Sequence, residues 1–183
     1  MQEHEAITAV RSGDQRAFGW LVKQYQHMVF TVCSRVLRND AEAEEAAQDS
    51  FIKAYQHIDS YQGSAKFSTW LYSIAYRTAI SKLRSRPGAT LDLEDAHEHA
   101  ADAEEGTIDA HDRKLALEQA LAQLSREDST IISLFYLGEQ SVDEIVTTTG
   151  LSASNVKVKL HRSRKKLQEI LQNQFKEETW ALR

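Results

Sequence analysis

Residues 141–166 read SVDEIVTTTGLSASNVKVKLHRSRKK, and this stretch predicts two helices joined by a tight turn. Ser141 is followed three residues later by Glu144, which is a capping box, so the first helix should begin there. Gly150 can adopt the left-handed conformation that ends a helix, and Ser152 can cap a second helix. A helix, a turn containing glycine and a second helix form the pattern of a helix-turn-helix.

The second of these predicted helices is strongly basic, as expected for a helix that enters the major groove of DNA. No acidic residue lies between Glu144 and Glu169. The basic residues of the helix are Lys157, Lys159, Arg162, Arg164, Lys165 and Lys166. A run of charge on a helix is usually a solvated face, but the turn, the caps and the missing acids together favour nucleic-acid binding.

The net charge of −5 is unusual for a DNA-binding protein, and its distribution explains it. Nine of the 27 acidic residues lie between Asp92 and Asp112, where there is no Lys or Arg. The rest of the chain therefore holds 22 basic and 18 acidic residues. The acidity belongs to one segment, and the average conceals a basic surface.

Composition favours a cytoplasmic protein. The hydrophobic share of 42% is sufficient for packed cores, but no run approaches the roughly 18 apolar residues of a membrane-spanning helix. The opening residues, MQEHEAITAVRSGD, lack the basic start and apolar core of a signal peptide. Cys33 is the one cysteine, which rules out an internal disulfide and fits a reducing compartment.

Apolar residues at steps of three and four predict an all-α fold with two small domains. The first domain, residues 1–87, ends at the only proline, and its predicted helices span 3–11, 15–38, 41–58 and 68–85. Residues 88–112 are small, acidic and without aromatic rings, which predicts a flexible linker. The second domain, residues 113–175, has two further helices before the helix-turn-helix, and residues 176–183 form a tail.

Aromatic and basic residues are interleaved around the loop that precedes the fourth helix. The aromatic residues are Tyr61, Phe67, Trp70, Tyr72 and Tyr76, and the basic residues are Lys66, Arg77, Lys82 and Arg84. This combination suits unstacked bases, which stack on rings while cations hold the backbone. The alternative is that the rings pack in the core, and it applies least to Tyr61, which lies in a polar loop.

The residues indicate no catalytic set, and we expect neither a metal nor a cofactor. His97 and His99 lie in the acidic segment without zinc-like partners. The acids of the third helix fit a solvated helix start, or a docking face for another protein, better than a catalytic cluster. They are Glu42, Glu44, Glu45 and Asp49.

Four segments, in order, resemble the extracytoplasmic-function sigma factors, the small two-domain class of bacterial sigma factor. They are GDQRAFGWLVKQYQHMVF, AEAEEAAQDSFIKAY, FSTWLYSIAYR and SVDEIVTTTGLSASNVKVKLHRSRKKL. The resemblance covers about residues 10–86 and 113–171. Each segment alone is moderately specific, but four in this order, with an acidic segment before the last, are highly specific.

This resemblance implies a sigma factor that binds the clamp of core RNA polymerase and directs promoter-specific transcription initiation, with no catalysis of its own. The first domain would bind the downstream promoter element and capture a flipped base from the opened DNA. The second domain would bind the upstream element as a duplex. The family also implies an anti-sigma protein as a partner.

By position, the resemblance and the local charge assign residues to three sites. Polymerase docking is assigned to Glu45, Asp49, Phe51 and Lys53. Binding of the opened DNA is assigned to Tyr61, Gln62, Gly63, Ser64, Ala65, Lys66, Arg77 and Arg84. On the basic helix, the DNA-reading side is assigned to Ser154, Lys157, Val158 and His161, and phosphate contacts to Lys159, Arg162, Arg164 and Lys165.

Three residues depart from the family's pattern. Arg77 stands where Asn is common, so it would hold a phosphate in place of presenting a paired donor and acceptor. Val158 stands where a small polar residue is common and suits a thymine methyl group. Val146 replaces the usual Ala where the two helices cross, which should loosen the motif slightly.

Two other classes of protein stay open. One is a helix-turn-helix regulator, outside the polymerase, with a helical dimerisation or sensing domain. Residues 40–84 argue against it, since a sensing domain does not need an acidic docking helix followed by an aromatic and basic loop. The other is a helical interaction adaptor whose basic helix is only solvated, and it would show no salt-dependent affinity for DNA.

Overall fold

The computed structural model of the chain describes residues 1–86 and 110–181, with side chains described at 1–86 and 113–173. These ranges contain eight α-helices, one turn of 3-10 helix and no strand, which confirms the predicted all-α fold. The helices are α1 (Glu3–Arg11), α2 (Gln15–Leu37), α3 (Asp40–Gln56), α4 (Phe67–Arg84), α5 (Ala110–Ala122), α6 (Arg126–Tyr136), α7 (Val142–Thr149) and α8 (Ala153–Ala181).

Side-chain caps begin the two central helices of the first half. Asp14, the predicted cap of α2, accepts hydrogen bonds from the backbone N–H groups of Arg16 and Ala17. Asn39 accepts one from Glu42 at 3.0 Å and begins α3. Each cap satisfies a donor that the first turn of a helix leaves unpaired.

Helices α1 to α4 pack around one apolar centre. Ala43, Ala46 and Ala54 of α3 are fully buried, and their small side chains let α3 lie close to α2 and α4. Cys33 is buried in the same centre, and burial raises the pKa of its thiol to about 12. The thiol therefore stays protonated near neutral pH.

The second half packs around α6, which is buried along most of its length. Ser125 caps this helix by accepting a hydrogen bond from the backbone N–H of Asp128 at 3.0 Å. Ile131 and Leu134 of α6 are fully buried, as is Val156 of α8. The helix that reads DNA in a helix-turn-helix, here α8, thus rests on α6.

The two halves are not packed separately, because apolar residues of both join one buried cluster. Helix α6 lies on α2, and α7 lies on α4. The apolar pattern predicts a core in each half but not this shared core, because an apolar stripe does not specify the helix that covers it.

Two arginines tie the halves together reciprocally, and we call them the arginine clasp. Arg38, in the first half, donates a hydrogen bond from Nη2 to the backbone carbonyl of Leu124 in the second. Arg126, in the second half, donates one from Nη1 to the carbonyl of Val36 in the first, at 2.6 Å. Arg38 sits directly after α2 with a left-handed backbone, φ 51°.

Two predicted boundaries differ from the structure. Helix α5 begins at Ala110, inside the predicted linker, and α8 continues to Ala181, past the predicted end of the second domain at 175. Lys, Glu and Ala, which favour helix, are frequent in the last six residues of α8. The rest of the predicted linker, with His97 and His99, lies outside the described residues. Within the described ranges, no helix combines the length and the apolar content that crossing a bilayer requires.

Candidate nucleic-acid interface

The predicted helix-turn-helix is present, with both of its caps. The Ser141 hydroxyl accepts a hydrogen bond from the Glu144 backbone N–H at 3.3 Å, and the Glu144 carboxylate accepts one from the Ser141 N–H at 2.8 Å. Gly150 ends α7 with φ 79°. Ser152 accepts a hydrogen bond from the N–H of Asn155 at 3.2 Å and begins α8. The local sequence is therefore sufficient to fix this motif.

One side of α8 is exposed along three turns, and it carries the residues assigned to DNA reading. They are Ser154, Lys157, Val158 and His161, all of them exposed, and Val158 keeps 59% of its surface. These positions follow helical spacing and face away from Val156 and Leu160, which are buried against the rest of the second half. Among the residues that the structure describes, nothing buries this stripe, so it is open to a DNA groove.

Lys159 requires a correction, because the sequence predicts a phosphate contact and the structure buries the side chain. Its exposed fraction is 4%, and its ammonium nitrogen lies 2.6 Å from a carboxylate oxygen of Glu127 and 3.7 Å from one of Asp128. Burial alone would lower the pKa of Lys159, but the hydrogen bond and charge of Glu127 raise it overall. The acids come from α6, so a search for acids near Lys159 in sequence misses them.

Three other cations of α8, which are Arg162, Arg164 and Lys165, lie at the surface, and each has a contact. Arg162 donates to both carboxylate oxygens of Asp128, at 3.0 and 3.3 Å. The guanidinium of Arg164 lies over the ring of Phe135, 5.2 Å from its centre, and 5.6 Å from that of Tyr136. Lys165 has only a long contact of 3.9 Å to Glu169, between two exposed side chains.

The loop assigned to base capture is short and held by its first residue. Gln62, Gly63 and Ser64 are exposed, and Gly63 has φ 73°, which suits glycine. The hydroxyl of Tyr61 donates to the carbonyl of Ala65 at 2.8 Å. The ring of Tyr61 packs on Phe67 and Trp70, with centres 5.4 and 5.6 Å apart. Tyr61 is therefore half-buried and braces the loop, which the polar sequence around it does not indicate.

Most of the aromatic rings of α4 pack in the core. Phe67, Tyr72 and Tyr76 are buried, while Trp70 is half-buried. The core-packing alternative therefore holds for the three buried rings. Lys66, Arg77 and Arg84 are exposed.

Helix α7 covers the first turns of α4 in this arrangement. Lys66 lies 3.1 Å from Glu144, and the Thr69 hydroxyl donates to the same carboxylate at 3.2 Å. Further along α4, Arg77 and Arg84 line a cleft of about 410 Å³ whose opposite wall is the turn at Gly150. The positive face of α4 thus opens toward the helix-turn-helix.

The residues assigned to polymerase docking lie on α3, and three of the four are exposed. Glu45 and Asp49 are exposed, and Glu45 lies 2.5 Å from Lys82. Phe51 is half-buried against Phe18. The side chain of Lys53 donates to the hydroxyl of Thr78 at 3.1 Å, and this residue is also exposed.

The spacing of apolar residues predicts that Ile52 and Tyr55 line the inner side of α3, but the structure places both at the surface. Ile52 keeps 55% of its surface and Tyr55 keeps 36%. Alanines take the inner positions instead, because only small side chains fit where α3 lies close to its neighbours. The outer face of α3 therefore combines carboxylates with exposed apolar surface, which is typical of a protein-binding face.

Two known family models match the chain, in the order of the two halves. Sigma-70 region 2 matches residues 21–87, and sigma-70 region 4 matches residues 114–167. The first match contains α3, the loop and α4, and the second contains the helix-turn-helix.

Curated relatives match over nearly their whole length. The extracytoplasmic-function RNA polymerase sigma factor SigW of Bacillus subtilis is 34% identical, over 94% of this chain and 98% of its own. The RNA polymerase sigma-H factor of Pseudomonas aeruginosa is 29% identical, over 96% and 97%.

Two solved structures share the fold at 22% identity. One is CnrH in complex with the cytosolic domain of CnrY, with a TM-score of 0.65 over 92% of this chain and 96% of that one. The other is the sigma factor RpoE of Bartonella quintana in complex with the anti-sigma factor NepR, with a TM-score of 0.65 over 85% and 96%.

Proposed function

The chain belongs to the extracytoplasmic-function sigma factors of the sigma-70 family, and we propose that its two halves divide the recognition of one promoter between them. Sigma factors bind core RNA polymerase and direct promoter-specific initiation of transcription. The first half would dock on polymerase and bind the opened downstream element, and the second would bind the upstream element as a duplex. The observation that carries this proposal is the exposed stripe of α8 behind a fully capped turn.

In the second half, the stripe enters the major groove. Ser154, Lys157 and His161 offer donors and acceptors to base edges, while Val158 offers a methyl contact to thymine. The phosphate contacts are made by Arg162, Arg164 and Lys165, which flank the stripe. Lys159 has no part in these contacts, because its ammonium group is engaged with Glu127 beneath the helix.

In the first half, the loop from Tyr61 to Ala65 receives a base flipped out of the opened promoter. Extruding a base costs a few kcal/mol, which its pocket must offset. The bond from the Tyr61 hydroxyl to Ala65 holds the loop in a fixed shape, which reduces the entropy lost on binding. Lys66, Arg77 and Arg84 hold the backbone of the same strand, and Arg77 does so as a cation where other members present Asn.

Polymerase docking uses the outer face of α3. Glu45 and Asp49 are four residues apart on one side of the helix, and their carboxylates suit arginines of a protein partner. Phe51 and Lys53 were assigned to the same helix, and exposed Ile52 adds apolar contact area between the acids and Lys53. A phosphate backbone would be repelled by these carboxylates, so this face is for protein and not for DNA.

The other partners follow from the class. Relatives of the same fold occur in complexes with anti-sigma proteins, and we extend that partner to this chain. The chain would act with polymerase in the cytoplasm as a recognition subunit, with no cofactor, and the polymerase would carry out catalysis.

Transcription in vitro tests the proposal. Core RNA polymerase, this chain and a library of randomised promoters are combined, and the transcripts are sequenced. We expect transcripts only when the chain is present, and the promoters that give them, identified by a barcode in the transcribed region, should share an upstream and a downstream element. DNA binding without transcripts would favour a regulator outside the polymerase, and the absence of salt-dependent DNA affinity would favour an interaction adaptor.

A further inference from the structure

The first turn of α6 places two carboxylates beneath the DNA-reading helix. Glu127 and Asp128 are the second and third residues of α6, and the N–H of Asp128 is capped by Ser125. Asp128 is 6% exposed. The positive end of the helix dipole stabilises acids at these positions. The sequence signal for them is the pattern Ser125-x-x-Asp128, which indicates a cap and gives no indication of contact with α8.

Each carboxylate has a different cation of α8 as its nearest partner. Glu127 lies 2.6 Å from the ammonium nitrogen of Lys159, and Asp128 accepts hydrogen bonds at 3.0 and 3.3 Å from one terminal nitrogen of Arg162. Lys159 and Arg162 are three residues apart on the same side of α8. The four groups together carry no net charge.

The two contacts differ in how much of each cation stays exposed to solvent. Lys159 is enclosed, whereas Arg162 keeps 57% of its side-chain surface. Within the described residues, only one nitrogen of the Arg162 guanidinium is bonded. The rest of this planar fork therefore faces solvent, where it can bind a phosphate through two parallel hydrogen bonds.

We propose that Asp128 is a positioning residue for promoter binding, which fixes the guanidinium of Arg162 before DNA arrives. Glu127 supports this by fixing the rotation of α8 through Lys159. An arginine that is already ordered loses less rotamer freedom on binding, and phosphate contacts set the register in which the stripe reaches the bases. This inference rests on the proposed function, since it takes the upstream DNA as the target of Arg162.

The alternative hypothesis is that Asp128 only neutralises the charge of Arg162, which binds DNA. The two readings give different results for Asp128→Asn, which adds one positive charge to the second half. Neutralisation predicts tighter binding to any DNA, cognate or not. Positioning predicts that the preference for cognate DNA falls, because the added charge helps all sequences while the loss of order harms the specific complex.

Holoenzyme made from core polymerase and the full chain provides the test. One fragment carries a promoter that the wild-type holoenzyme selects from a library, and the other carries the same promoter with its upstream element scrambled. Dissociation constants are measured over a series of salt concentrations. For Asp128→Asn we expect the ratio of the two constants to fall about two- to tenfold, with no reduction in the salt dependence. A chain that had simply lost its structure would bind both DNAs less and with a smaller salt dependence.

Glu139→Gln is the matched control, since Glu139 is an exposed acid of the same half and lies outside the proposed DNA interface. It makes the same change of charge and should leave the ratio unchanged. Arg162→Lys is the second variant, which keeps the charge and loses the fork, and its ratio should fall as well. Thermal unfolding of each free chain verifies folding, and if Asp128→Asn does not fold, Arg162→Lys decides the question.

The positioning role would be overturned if the wild type prefers the cognate fragment and both Asp128→Asn and Arg162→Lys show the same ratio of dissociation constants as the wild type. The proposed function would then remain intact. An equal gain of affinity for both fragments in Asp128→Asn would also overturn it, in favour of neutralisation. A wild-type holoenzyme that binds the two fragments equally would overturn both.

Discussion

The carboxylate of Glu144 lies 3.1 Å from the ammonium nitrogen of Lys66, so one side chain connects the capping box of α7 to the beginning of α4. The same carboxylate accepts hydrogen bonds from the hydroxyl of Thr69 and from the N–H of Ser141. Carboxylates and phosphates bind ammonium and hydroxyl groups through similar charge-assisted hydrogen bonds. In this arrangement, Glu144 therefore occupies Lys66, which the proposed function gives to DNA.

Glu144→Gln should raise the affinity of the free chain for single-stranded DNA. Gln keeps the capping box but withdraws the charge from Lys66, and we expect a gain of about two- to fivefold because exposed ion pairs contribute at most about 1 kcal/mol. Fluorescence anisotropy of a short labelled oligonucleotide measures it. Asp143→Asn removes the same charge at an exposed neighbour, and equal gains in both variants would show that only net charge matters.

The contribution of Glu144 to stability should disappear in acid. Burial alone would raise the pKa of Glu144, but hydrogen bonds from Ser141 and Lys66 hold it below its ordinary value of 4.5. A carboxyl group with a lowered pKa stabilises the fold above its unfolded pKa, and this stabilisation is lost as the pH falls through the folded pKa. Urea unfolding should find the wild type more stable than Glu144→Gln near neutral pH, with the difference shrinking below pH 4.5. A constant difference throughout the acid range would contradict this.

Lys157 and Lys159 lie two residues apart on α8, and their alanine variants should affect different properties. Lys159→Ala should reduce stability, whereas Lys157→Ala should reduce DNA binding. Lys159→Ala leaves Glu127 enclosed without its partner, so unfolding free energy should fall by about 3 to 5 kcal/mol. Lys157→Ala should leave stability within about 0.5 kcal/mol and weaken binding to the cognate promoter by about 1 to 3 kcal/mol, because Lys157 is proposed to contact base edges. Urea unfolding and binding of the holoenzyme over a salt series measure the two effects. Similar stability losses in the two variants would disprove the distinction.

Reversing the charges of α3 should abolish binding to core polymerase. Glu45 and Asp49 are exposed, so Glu45→Lys with Asp49→Lys should leave the helices intact by circular dichroism and still repel an arginine-bearing partner. Gel filtration with core polymerase detects the loss. Glu139→Lys with Asp143→Lys makes the same change of charge in the second half and should still bind. If the folded α3 variant bound core polymerase with wild-type affinity, α3 would not be part of the docking surface.

The helices and the helix-turn-helix could be predicted because their determinants are local in sequence. Asp14, Ser141 and Ser152 each cap a helix whose first turn lies two or three residues away. The left-handed residue at Gly150 is likewise adjacent to the helix that it ends. Helix caps and apolar periodicity depend on residues within one or two turns of each other. A single sequence is therefore sufficient to predict them.

The pairings between helices could not be predicted in this way. Lys159 has no acid near it in sequence, yet Glu127 lies 32 positions earlier and meets it in space. Glu144 meets Lys66 from 78 positions away. Ile52 shows the same limit for packing, since a periodic pattern could not reveal that alanines would take the inner side of α3. These features depend on how the helices are arranged, which the pattern of each helix alone does not determine.

The arginine clasp has a consequence for how this protein can change over evolutionary time. Both of its acceptors are main-chain carbonyls, those of Leu124 and Val36, and every amino acid supplies the same carbonyl. Apolar residues at the two acceptor positions can therefore drift to others of similar volume without breaking the polar connection between the halves. Within the clasp, the requirement for identity falls on Arg38 and Arg126 alone, so lineages that diverge at the acceptor positions can retain this connection.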